Sequence, residues 1–81
     1  MPRFYIHTDD GDVRDVDHLG FDLPNAAAAR TAALQALRDM ARDMLSDGDN
    51  RVFEVKVEDE EFHLVYEATL RLSGEWTKRR G

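Results

Sequence analysis

Three histidines, a cluster of aspartates and a basic C-terminal stretch are the residues of this 81-residue chain whose types invite chemistry. His7 and His63 fall in alternating segments, at positions that share one face with Tyr5, Val65 and Thr69. They could approach one another across strands. Two imidazoles make half of a zinc site, which needs three or four converging ligands. No HxxxH or HExxH spacing supplies the rest, and the chain has no cysteine. No metal and no cofactor is therefore expected. Buried in an interface, the two rings would instead make association sensitive to pH near neutrality.

The aspartates between Asp9 and Asp17 suggest calcium, and the EF-hand pattern tests that idea. Counting from Asp10, the third ligand falls on Arg14. From Asp15 it falls on Leu19, and from Asp47 on Arg51. All three registers fail, so the segment reads as a turn whose carboxylates cap it and discourage edge pairing. Nucleophilic catalysis needs an activated Ser, Thr or Cys beside a base. Ser46 and Ser73 stand at element ends with no elbow motif, and the glycines never cluster as G-x-G-x-x-G. The chain is expected not to be an enzyme. Trp76, Lys78, Arg79 and Arg80 join an aromatic to three cations, a combination that stacks on bases and touches phosphates.

Charge limits that last idea. The formal charge is −6, and its distribution is uneven. Residues 73–81 carry +2, so residues 1–72 carry −8. Asp9–Asp22 alone holds six Asp against one Arg. An acidic body repels phosphate backbones, which argues against nucleic acid as a partner of the folded part. No run approaches the roughly 18 apolar residues of a membrane span. Without such a run or an apolar leader after Met1-Pro2-Arg3-Phe4, a cytoplasmic location is expected.

The elements that must position these residues follow from periodicity. Arg3–Thr8 alternates, with Phe4, Ile6 and Thr8 on one side and Tyr5 and His7 on the other. Asp9-Asp10-Gly11-Asp12 supplies turn chemistry, and Val13–Val16 makes a weaker second strand. Phe21 and Leu23 are spaced to enter the core together. A helix is predicted over Asn25–Leu45, with Asn25 as its N-cap. Its buried stripe is Ala26, Ala29, Ala33, Leu37, Met40 and Met44. Ser46-Asp47-Gly48 is predicted to stop it. Val52–Val57 alternates next, with Phe53, Val55 and Val57 inward. After the polar turn Glu58–Glu61, Phe62–Leu72 alternates again, with Phe62, Leu64, Tyr66, Ala68, Leu70 and Leu72 on one side.

The expected fold is thus a single α+β domain over residues 1–72, in the order β-β-α-β-β, followed by a frayed basic tail over 73–81. One long helix packs on one face of a three- or four-stranded, antiparallel-rich sheet. A single helix leaves the other face open. Tyr5, His7, His63, Val65 and Thr69 on that face are the expected interaction residues. They suit a homodimer or another protein partner, because Tyr and His join an apolar body to a polar handle.

The opening Met1-Pro2-Arg3-Phe4-Tyr5-Ile6-His7 carries a resemblance, together with Asp10-Gly11, Asp17, Gly20, Asp22-Leu23-Pro24, Ala29 and Ala33. The chain resembles a family of small proteobacterial proteins of unknown function, common in rhizobia and their relatives, that open M-P-R-[FY]-[FY]-[FI]-H. The likeness spans roughly residues 1–70 and departs at the last hairpin, where members often have a Gly turn and a V-P-F ending. It implies no activity. The strand order around a D-G turn and the proline-led, alanine-rich helix are also similar to HicB-type antitoxins, whose G-D-T-x-x-E-A helix start is missing here. That likeness implies an alternative role, as an antitoxin-like or nucleic-acid-linked regulator.

Overall fold

A computed structural model describes residues 2–44 and 48–78, with the backbone alone at Met44. The chain runs β1 (Arg3–Asp9), β2 (Arg14–Asp15), β3 (Phe21–Asp22), α1 (Ala26–Met44), β4 (Asn50–Glu58) and β5 (Leu64–Ser73). One antiparallel sheet has the order β2-β1-β4-β5, and β3 pairs with β1 as well. β2 pairs with Thr8 and Asp9, while β3 pairs with Arg3 and Phe4. The two short strands therefore follow one another along a single edge of β1. The expected α+β architecture is present, with β3 as an added strand.

The helix forms where the alanine-rich stripe predicts it. Asn25 Oδ1 accepts the Ala28 N–H at 2.9 Å, which satisfies one of the free donors of the first turn. Ala29 and Ala33 are fully buried and Leu37 and Ala41 nearly so, against Phe53, Val55 and Val57 of β4 and Phe4 and Ile6 of β1. Small alanine side chains let the helix lie close to the sheet. Phe53, Val55 and Val57 are completely enclosed, so the core centres on β4, the strand beneath the helix. Ala26 is exposed, because it stands at the helix start beyond the reach of the sheet. The expected helix end at Leu45 and the Ser46-Asp47 stop lie outside the described residues.

Two other departures lie on the strands at the sheet margins. Phe21 is 51% exposed, while Leu23 packs on the core. Phe21 pairs with Phe4 and so shares its face; its exposure comes from its place on the two-residue outer strand β3, not from pointing away from the core. In β5, Val57 faces Tyr66 but Glu58 faces Leu64, so one extra residue, Val65, is accommodated as a β-bulge. The bulge reverses the frame. Tyr66 and Ala68 pack toward the helix as expected. Leu64 stands opposite Glu58 of the other face and is 52% exposed. Phe62 takes a positive φ of 64° in the preceding turn and is 67% exposed. The alternation of Phe62–Leu72 thus holds only from Tyr66 onward.

Candidate functional site

β1 turns Phe4 and Ile6 into the core, so Tyr5 and His7 face away from the helix. On β4 the same alternation sends Glu54, Lys56 and Glu58 outward. The register places Tyr5 opposite Glu58 and His7 opposite Lys56. Two further segments rise beside this floor. The connection from β2 to β3 brings Val16 and His18, and the β4–β5 turn brings Phe62. Together they enclose a groove of about 530 Å³ on the face that the helix leaves bare. Tyr5 and Phe62 form its aromatic end, with ring centroids 5.7 Å apart and planes tilted by 33°.

Asp17 holds the connecting segment in place. Its Oδ2 accepts the Ile6 N–H at 3.1 Å, and its Oδ1 accepts those of Leu19 and Gly20 at 3.0 and 2.9 Å. The carboxylate thereby fills the gap between β2 and β3 on the edge of β1. Partial burial pushes its pKa up, but the N–H groups of Gly20, Ile6 and Leu19 and the nearby His7 outweigh that and hold it below the usual 3.8. Gly20 then passes close over the strand at φ 78°, where a Cβ would sit 2.7 Å from the Arg3 side chain and 3.1 Å from the Tyr5 ring. Glycine is needed there for both backbone and space.

His7 has a partner on each ring nitrogen. Nδ1 accepts the Asp17 N–H at 3.0 Å, and Nε2 lies 2.9 Å from Glu58 Oε1. An acceptor at Nδ1 assigns the proton of the neutral ring to Nε2, which donates to Glu58. The imidazole ties the connecting segment to β4 through both ring nitrogens.

The remaining expected residues are placed apart. His63 lies in the β4–β5 turn, 74% exposed, with Nδ1 3.8 Å from Asp59. It does not join His7, whose partners are Asp17 and Glu58. Val65 occupies the bulge, and Thr69 sits on β5 opposite Glu54. Trp76 is 82% exposed and Lys78 is exposed. Arg79 and Arg80 lie outside the described residues. β5 itself continues through Ser73, and the Gly74 N–H still donates to Asp49 O at 2.7 Å.

Both acidic turns are braced internally. Asp10 Oδ1 accepts the N–H groups of Asp12 and Val13 at 2.9 and 2.8 Å. Those bonds, the Val13 one foremost, hold its pKa below the usual value. Arg51 reaches across from β4, with Nε donating to Asp10 O at 2.7 Å and Nη2 to Asp12 at 3.0 Å. In the other turn Asp59 Oδ1 accepts from Glu61 and His63 N–H, each at 2.9 Å, and the His63 bond leads in lowering its pKa. Asp59, Glu61 and His63 bring ligand-type atoms within 4.8 Å of one another, a grouping the sequence reading did not single out. The Asp59 oxygen serving the turn explains that proximity without a metal.

Lys56 was readable as an outward residue from the alternation of Val52–Val57, whereas Glu58, read as part of the turn, ends β4 instead. Asp17, Val16 and Phe62 were not readable as groove residues, since their positions depend on a carboxylate-to-backbone bond 11 residues back to Ile6 and on a positive φ. No helix is long and apolar enough to cross a membrane among the described residues. No curated protein and no solved structure matches the chain. A family model does match, over residues 3–71, and those residues include the groove, both braced turns and the helix. The chain belongs to that family, the domain of unknown function DUF6894.

Proposed function

We propose that the chain is a small non-catalytic interaction module that self-associates and uses its sheet, outside the helix-covered side, as the contact surface. The observation that carries this reading is the uncovered face with its preformed groove of about 530 Å³. Aromatic and charged groups alternate there: Tyr5 and Phe62 at one end, Lys56 and Glu58 beside them. Such a mix of apolar body and polar handle suits protein contact. The absence of catalysis is supported by His7, whose two nitrogens are committed to Asp17 and Glu58. The resemblance to a proteobacterial family opening M-P-R-[FY]-[FY]-[FI]-H makes Tyr5 and His7 part of the motif-bearing strand, which fits a shared use of this face.

Sedimentation of the full chain across a concentration series tests the reading. A concentration-dependent rise from 9.3 kDa toward twice that mass supports it. A 9.3 kDa species at every concentration removes self-association. For the groove, Tyr5→Ala with Phe62→Ala should abolish capture of whatever protein the wild-type chain retains from its host. Equal capture by both would show that the groove is not the contact.

A further inference from the structure

The two edges of the sheet are finished differently. On one side, β1 is covered along its length by β2, Asp17 and β3. On the other, β5 is the last strand, ten residues long, with no strand beyond it among the described residues. Leu64, Val65 and Leu70 of β5 are 52%, 41% and 42% exposed. From Tyr66 to Ser73 the pairing with β4 is regular, and this stretch has no proline and no bulge. Proline and bulges are two of the devices that blunt an edge; charged side chains are a third, and β5 carries one of each sign, Glu67 and Arg71.

We infer that a second copy of this chain docks antiparallel along β5, with the two-fold axis at Thr69. The register follows from charge and pleat. Glu67, Thr69 and Arg71 share the helix-free face, opposite Lys56, Glu54 and Val52 of β4. Tyr66, Ala68, Leu70 and Leu72 share the other face. A two-fold at Thr69 sets Glu67 opposite the second copy's Arg71, and by symmetry Arg71 opposite its Glu67. On the helix side it sets Leu70 against Ala68 and Leu72 against Tyr66. Centring on Ala68 instead puts Arg71 opposite Val65, and centring on Leu70 puts Glu67 opposite Ser73. A shift of one residue mixes the two faces. The Thr69 register alone makes this strand complementary to itself in both charge and polarity, as an isologous interface requires. Across the joined sheet the charges then alternate as Lys56, Glu67 and the second copy's Arg71. The groove beside β1 stays open at each far end.

This inference rests on the self-association proposed above and adds the strand and its register. Light scattering on the full chain and two charge variants tests it. Glu67→Lys and Arg71→Glu each place like charges opposite one another twice, so each alone should dimerise about tenfold more weakly or worse. Mixed in equal amounts, the two should form a one-to-one heterodimer, because Lys then faces Glu and Arg faces Glu. Arg71→Glu has Val52 as its cross-strand neighbour, so it checks that loss in Glu67→Lys does not come from Lys56. Circular dichroism on each variant establishes that it is folded. A wild-type monomer at all concentrations would overturn both the self-association reading and this interface. A wild-type dimer that survives either single change would overturn the β5 register and leave self-association standing.

Discussion

The covered edge at β1 and the bare edge at β5 belong to one sheet, yet among the described residues aspartate side chains take up backbone N–H groups along only one of them. At β1 the backbone demand is met inside the chain. Asp17 serves three N–H groups, and Asp10 serves two more in the adjoining turn. At β5 the corresponding row of the last strand meets no further strand among the described residues. The aspartate-rich segment that looks like a cation site in sequence thus works as backbone packaging. The region that looks like an ordinary amphipathic strand is the one with no further strand beside it among the described residues.

The comparison can be tested from its foundation upward. Leu37→Ala should have the largest effect, about 2–5 kcal/mol, because it opens a cavity between α1 and β4, which supports both edges. Urea unfolding should show one transition at a lower midpoint. Two separated transitions would mean that the edges do not share a core. Asp17→Ala should cost about 1–3 kcal/mol, since it strips partners from Ile6, Leu19 and Gly20. Amide exchange should quicken at those three positions and stay unchanged in β5.

Acid should weaken the covered edge, through Asp10 and Asp17, and the β4–β5 turn, through Asp59. Asp10, Asp17 and Asp59 all have pKa values below the ordinary 3.8 in the folded chain. Above 3.8 their contribution to stability is fully present. As pH falls through the folded values, the unfolded chain has already taken up the protons and the folded state loses its advantage. Thermal midpoints should therefore drop progressively below about pH 4, and Asp17→Ala should show a shallower drop. An unchanged slope in that variant would mean that Asp17 is not among the groups responsible. The smallest effect should come from Asn25→Ala, about 1 kcal/mol through loss of the helix cap, with neither edge altered.

Much of this arrangement was legible in the chain. The Asn25 cap and the Ala29, Ala33 and Leu37 spacing define the helix and its buried side. Alternation assigns Phe4 and Ile6 inward and Tyr5 and His7 outward. These features are local, so sequence order carries them. β3 was not legible, because two residues have no periodicity and exist as a strand only through β1. Phe62 escaped because the β4–β5 turn reaches a positive φ without glycine, and the bulge at Val65 then resets the alternation. The expected meeting of His7 and His63 failed for the same reason: His63 belongs to the turn, and His7 to a bond network with Asp17 and Glu58.

Hydrogen exchange of the wild-type backbone amides, compared at low and high protein concentration, bears most directly on the difference between the two edges. Protection should rise with concentration at alternate residues between Tyr66 and Leu72 and remain constant at Ile6, Leu19 and Gly20. Exchange in β5 that is fast and independent of concentration would contradict the account.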